Sequence, residues 1–225
     1  MREVNIFDIL GPIMIGPSSS HTAGAVRLGN MAAMIFGRPV SRVDFYLHGS
    51  FAKTYKGHGT GVALVAGLLG LSPDDERLPQ AFELAKARGL EFDFHEADLG
   101  YVHPNSVRFQ LRADDGEMSV VGSSLGGGTI EIVQIDQTEV SLRGDYPTII
   151  LEYPDQPGVI RRITAIISGA GVNIAGMKVN RIQKRATMVL ELDSKISRAT
   201  FHLFEHDSNF YNVADIGAVE ESHAL

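Results

Sequence analysis

Apolar residues recur along this chain with two different periods, and the switches between them predict its elements. Helical spacing predicts helices over residues 23–36, 62–69 and 79–88. The second is apolar nearly all round, through Val62, Leu64, Val65, Leu68 and Leu69, which places it inside a core. Pro79 suits the first turn of the third helix, and Gly89 the cap beyond its last. Alternation of period two predicts strands over 42–47, 106–113, 117–123 and 129–135. The last three form a meander, and Asp114-Asp115-Gly116 is a hairpin signal for its first turn.

Near residues 140–146 the alternation gives way to the polar segment Ser141-Leu142-Arg143-Gly144-Asp145, a domain boundary signal. Beyond it the pattern predicts a strand over 147–153, a helix over 157–168, strands over 172–181 and 185–192, a helix over 196–205 and a strand over 211–219. Ile160, Ile163 and Ile167 give the first of these helices its apolar stripe, and Gly169 and Gly171 stop it. Strand, helix, strand, strand, helix, strand is the order of the split ferredoxin-like motif, an antiparallel sheet with both helices on one face. The fold class expected is α+β, with an N-terminal α/β domain over residues 1–142 and a ferredoxin-like βαββαβ domain over 146–221.

Composition removes several function classes. A net charge of −7, with no basic stripe, argues against a nucleic-acid surface, where clustered Lys and Arg displace counterions. No apolar run approaches the roughly 20 residues that span a bilayer. Residues 1–8 lack the basic stretch and apolar core of a signal peptide, so the expectation is a cytoplasmic protein without membrane contact. With no cysteine, the chain holds no disulfide, thiolate nucleophile, Cys-ligated zinc or iron-sulfur cluster of its own. His21, His48, His58, His95 and His103 are scattered, without the close helical spacing of a zinc site, and no metal site is expected.

Two segments combine hydroxyls, glycines and an imidazole at the start of a predicted helix. Gly16-Pro17-Ser18-Ser19-Ser20-His21-Thr22-Ala23-Gly24 precedes the first helix. Unpaired first-turn amides and the helix dipole suit such a turn to a carboxylate or phosphate, and the serine and threonine hydroxyls add donors. Plain N-capping accounts for one serine, and three in a row exceed what a cap requires. In the second segment, residues 49–61, a strand ends, Gly57, Gly59 and Gly61 allow close backbone approach, and His58 stands just before a helix starting near Thr60. Two such starts converging at one sheet edge would offer anion binding and a base that titrates near neutral pH; a loop histidine bonded to backbone is the plainer reading of His58. The serines lack the Gly-x-Ser-x-Gly elbow of hydrolases. Gly126-Gly127-Gly128 lies between strands, as a turn or bulge. Asn105, after His103-Pro104, stands in a polar turn that could face a ligand.

The Pro17-Ser-Ser-Ser-His-Thr22 run, Gly49-Ser50, Gly57-His58-Gly59-Thr60 and His103-Pro104-Asn105 together resemble the beta region of iron-sulfur-dependent L-serine dehydratases. The resemblance covers the whole chain, because Asp155-Gln156-Pro157-Gly158-Val159 and Val172-Asn173-Ile174 look like an ACT domain, a module with the ferredoxin-like order. It implies a first domain of the allosteric-substrate-binding type, similar to one in some phosphoglycerate dehydrogenases. It also implies a partner alpha subunit carrying a [4Fe-4S] cluster with one iron free of thiolate. That iron acts as a Lewis acid on the serine hydroxyl while a base removes the α proton, giving pyruvate and ammonia.

On this resemblance the catalytic pair is His21 and His58, with no choice between them as the base. Ser18, Ser19, Ser20, Thr22, Thr60 and Asn105 are the substrate-binding candidates. Asp155, Gly158 and Val159 would bind an amino-acid effector against Asn173 and Ile174 of a paired ACT domain. Partners implied are the alpha subunit, L-serine or a related small amino acid, and a second copy joined through the ACT domains; whether a monovalent cation assists is left open. The competing readings are a free-standing amino-acid sensor and an interaction scaffold.

Overall fold

The computed structural model describes residues 13–217, and the chain divides into two compact units between Asp136 and Gln137. Residues 1–8, read above for a signal peptide, and the last strand's expected end at Val219 lie outside the described residues.

In the first unit a π-helical turn, Ser19–Ala23, runs directly into α1, Gly24–Phe36. There follow β1 (Arg42–Leu47), α2 (Gly49–Thr54), α3 (Thr60–Leu68), a single tight turn at Leu78–Gln80, and α4 (Ala81–Ala87). The unit closes with β2 (Glu91–Glu96), β3 (Ser106–Ala113), β4 (Gly116–Gly126) and β5 (Thr129–Ile135). The strands run in the order β2-β1-β3-β4-β5. β1 and β2 are parallel, and the other neighbours are antiparallel.

Alternation along the strands separates two sheet faces. Val43, Phe45 and Leu47 of β1 and Val107, Phe109 and Leu111 of β3 are fully buried, as is Val120 of β4. The opposite face carries charge: Asp44, 6% exposed, accepts from Arg112 Nη1 at 2.5 Å and Arg42 Nη2 at 3.3 Å. A carboxylate buried to that degree is stable only because cations satisfy it.

Helices α1 and α3 cross with their backbones in contact. A side-chain carbon on Gly67 would overlap the Val26 carbonyl oxygen and lie 2.9 Å from the Gly29 Cα; one on Gly29 would lie 2.9 Å from the Gly67 Cα and the Leu68 nitrogen. Gly29 and Gly67 are there because nothing larger fits between the helices. Asn30 Nδ2 adds a bond to the Leu71 carbonyl at 2.9 Å, so the two helices advance together from starts at the same end. At that same end lie the close of β1 and the opening of β3, paired at Leu47 and Val107.

The second unit contains β6 (Thr138–Leu142), β7 (Thr148–Pro154), α5 (Val159–Gly169), β8 (Ile174–Ile182), β9 (Arg185–Leu192), α6 (Arg198–Glu205) and β10 (Asn212–Ile216). From β7 onward the order is the ferredoxin-like one, with an antiparallel sheet β10-β7-β9-β8. Ile163 and Ile167 of α5 and Phe201 and Phe204 of α6 close over Ile149, Leu151, Met188 and Leu190. Each such side chain contributes roughly 1.5–3 kcal/mol by leaving water. No helix among the described residues is long and apolar enough to cross a membrane.

The helix contact yields a test. Gly67→Ala should destabilise the first unit by about 1–3 kcal/mol, the usual cost of forcing one carbon into a filled core, measured as a lowered denaturant midpoint. Gly70→Ala meets open space but has a φ of +81° and serves as the strain-only comparison.

Candidate active site

Four segments meet where α1, α2 and α3 begin. Ser18, in extended conformation, caps the π-helical turn: its Oγ accepts the His21 backbone N–H at 3.3 Å. His21 then stands within that turn, half-buried, at the threshold of α1. After β1 the chain bends sharply at Gly49, whose φ is +54° and whose absent side chain would lie 2.7 Å from the Pro104 oxygen. This corner lets the Ser50 N–H donate to the Pro104 carbonyl at 2.8 Å.

The loop supplying Pro104 is itself anchored. The Asn105 N–H donates to His103 Nδ1 at 3.1 Å, and the Ser124 N–H donates to the Asn105 carbonyl at 2.9 Å. Ser124 Oγ in turn donates to the Ser20 carbonyl at 3.0 Å, tying β4 to the serine run.

The imidazole of His21 lies at the centre of this arrangement. Nδ1 is 3.3 Å from Ser18 Oγ, and Nε2 is 3.3 Å from Ser50 Oγ. Its ring contacts Phe51, with centroids 5.3 Å apart, and meets His58 edge-on at 5.2 Å and 86°. His58 is exposed, and its ring makes no hydrogen bond among the described residues; its backbone N–H donates to the Thr54 carbonyl at 2.9 Å. Two residues on, Thr60 opens α3. Its Oγ1 is fully buried and has no hydrogen-bond partner among the described residues. A buried hydroxyl without a partner costs free energy unless a ligand supplies the missing bond.

Electrostatics follow from this geometry. Burial holds the His21 imidazolium below its ordinary value of 6.5, and the neighbouring His58 lowers it further. Both rings stand at helix starts, whose dipoles oppose a second positive charge and favour an anion.

The structure therefore gathers His21, His58, Ser18 and Thr60 at these helix starts. Asn105 joins through its backbone, and Ser20 through its carbonyl. Ser19 carries the turn's closing bond: its carbonyl accepts the Gly24 N–H. Thr22 is 3% exposed, its side chain lying against Gly16. Two contributors lie outside the candidate site residues. Ser50 stood in the Gly49-Ser50 pair at the end of a predicted strand, which was its signal. Ser124 had none, because its role depends on register across β4.

In the second unit, Asp155 accepts from Arg181 Nε at 2.8 Å and Nη2 at 2.6 Å. Gly158, with φ +88°, caps α5, and Val159 begins it. A cavity of about 680 Å³ opens there, lined by Gln156, Gly158, Val159, Arg161, Arg162 and Asn209 among others. Asn173 lies elsewhere: its Nδ2 donates to Asp193 at 2.8 Å, beside Ile174 at the opposite end of β8 from Arg181. At roughly 3.3 Å per residue, those ends are on the order of 25 Å apart. Within one chain the five residues do not form one site.

Imidazoles and hydroxyls gathered at helix starts in an α/β unit, followed by a ferredoxin-like unit, define a two-domain α+β protein. Family comparison makes this specific: residues 5–134 match the model for the serine dehydratase beta chain, and residues 148–199 match the ACT domain. The chain belongs to the serine dehydratase beta chain family and carries an ACT domain at its C-terminal side. It is 45% identical over 203 residues to the L-serine dehydratase beta chain of Peptoniphilus asaccharolyticus, covering 88% of this chain and 91% of that one. It is 38% identical to a probable L-serine dehydratase beta chain of Bacillus subtilis, covering 98% of this chain and all of that one. A D-3-phosphoglycerate dehydrogenase of Synechocystis is 27% identical over 76% of this chain, which spans 32% of that enzyme.

The depressed His21 value sets a pH dependence. As pH falls through 6.5 the unfolded chain takes up this proton before the folded chain does. The ring's contribution to stability is therefore complete above 6.5 and is lost below it, until folded His21 also protonates. In an NMR titration His21 should titrate below 6.5, and His58→Gln should move it upward without restoring 6.5, because burial is the larger cause. An unmoved His21 in that variant would refute the coupling.

Proposed function

We propose that this chain is one subunit of a [4Fe-4S]-dependent L-serine dehydratase that converts L-serine to pyruvate and ammonia in the cytoplasm. Its part is to bind the substrate's carboxylate and transfer its α proton. The observation that carries this reading is the convergence of His21 and His58 at the starts of α1 and α3, where α3 opens on Thr60, whose buried hydroxyl has no partner among the described residues. Similarity to two beta chains of L-serine dehydratases supports it, since a beta chain is named as one part of a larger enzyme.

The residues of this chain do not fit the cluster. It has no cysteine, and among the described residues no group of three His, Asp or Glu side chains could hold a metal ion. In this reading the partner alpha subunit carries the cluster. The first-turn amides of α3, which have no partner within their own helix, and Thr60 Oγ1 receive the carboxylate. Of the two rings, His21 is engaged by hydroxyls at both nitrogens, whereas His58 is free to accept the α proton on a ring nitrogen.

The ACT domain supplies self-association and regulation by a small amino acid. β8 is an edge strand with Met177 half exposed, ready to pair with another strand. Antiparallel pairing of two β8 strands about a twofold axis would bring Asn173 of one copy toward Asp155 of the other, closing the distance that separates them within one chain.

Two experiments test the proposal. The chain purified without oxygen should lack cluster absorbance and leave serine intact, and mixing with a cysteine-bearing alpha chain should give pyruvate. His58→Ala should lower that rate on the order of 100-fold or more; full activity in both His21→Ala and His58→Ala would dismiss the shared site and favour an amino-acid sensor. Thr60→Val separates binding from folding: it removes an unsatisfied buried hydroxyl and should raise stability by about 1 kcal/mol, while raising KM for serine. A variant that is less stable with unchanged KM would place Thr60 in the core only.

A further inference from the structure

We propose that Ser50 is a positioning residue which, together with Ser18 on the opposite side of the ring, holds the tautomer and orientation of His21. The inference rests on the reading of this cleft as a substrate site, but its physical content is independent of which reaction occurs there.

Ser50 is held at both ends of its own backbone. Its N–H donates to the Pro104 carbonyl at 2.8 Å, and its carbonyl accepts Thr54 Oγ1 at 2.7 Å. The Gly49 corner that precedes it admits no side chain, so the placement of Ser50 is set by backbone geometry. What remains is the hydroxyl, which lies 3.3 Å from His21 Nε2.

The other face of the ring decides which atom donates. Ser18 Oγ already accepts the His21 backbone N–H at 3.3 Å. A hydroxyl has one proton to give. If Ser18 also accepted from Nδ1, that proton would go unused, whereas donating to Nδ1 satisfies both of its roles. Nδ1 is then the acceptor and Nε2 carries the hydrogen, which it donates to Ser50 Oγ. The Ser50 proton is left to point away from His21, toward whatever occupies the cleft. Ser18, His21 and Ser50 form a directed chain of hydrogen bonds, and each member orients the next.

This assigns a division within the histidine pair. His21 is locked as a neutral ring with a defined direction, and it buttresses His58 edge-on at 5.2 Å. Removing Ser50 should release the direction of the His21 ring without unfolding the turn, because the Ser18 cap is made by a different residue.

The test is heteronuclear NMR of the histidine side chains in the full chain alone, at a pH where His21 is neutral. The wild-type protein should show His21 in the Nε2–H form, Ser50→Ala should weaken that preference by roughly fivefold, and Ser50→Thr, which keeps the hydroxyl, should restore it. A wild-type His21 in the Nδ1–H form overturns the proposal without any variant having to fold, and so does an unchanged preference in Ser50→Ala. Neither result depends on serine deamination. If the reconstituted enzyme makes no pyruvate while the tautomer behaves as stated, the serine reading fails and the positioning role stands.

Discussion

The cleft depends on one contact, the backbone-to-backbone crossing of α1 and α3 at Gly29 and Gly67. Side-chain packing between helices can relax through alternative rotamers; a crossing in which main chains touch has no such freedom. Gly29 lies five residues into α1 and Gly67 seven residues into α3. At about 1.5 Å of rise per residue, both helix starts are therefore pinned within roughly 10 Å of the contact. His21 and His58 precede those starts directly, so their 5.2 Å separation follows from two glycines that make no contact with either ring.

That geometry also decides the charge state. Two helix starts point partial positive charge into the cleft, and burial of His21 adds the cost of desolvating an imidazolium. No carboxylate hydrogen-bonds either ring among the described residues, and burial holds His21 toward its neutral form. A carboxylate ligand would reverse this balance by supplying negative charge, and it would engage the Thr60 hydroxyl that folding leaves unsatisfied. Ligand binding and proton affinity are thus coupled through the same few atoms, as the proposed reading of the site requires.

Much of this was legible in the sequence, for identifiable reasons. Helix α1 and strands β3 to β5 have strong periodicity, α3 shows as a run apolar nearly all round, and the glycines flanking His58 mark a backbone that must bend. Strand β2 was not anticipated: Glu91-Phe92-Asp93-Phe94-His95-Glu96 has only two apolar residues between charged neighbours, the pattern of an exposed edge that evades aggregation. Helix α2, six residues long, is too short for a 3.6-residue period to be seen. β6 was obscured by the polar residues read as a boundary, and Pro79 fell in a separate tight turn before α4. In the site, local signals found the residues at helix starts. Ser124 was beyond reach because its contact with Ser20 spans 104 residues and is created only by the sheet register.

The two units differ in what they need from outside. The first brings its imidazoles and hydroxyls together within a single chain, and what it lacks is chemistry: without cysteine, any thiolate-held metal must come from a different polypeptide. In the second unit, Asp155 is held by Arg181 at one end of β8, and Asn173 is held by Asp193 at the other. An amino acid touching both would have to lie between two copies, because a small ligand spans a fraction of the length of a nine-residue strand. On the proposed reading, self-pairing completes a regulatory site and hetero-association a catalytic one. A single chain can be asked separately about each, since the surfaces involved belong to different folding units.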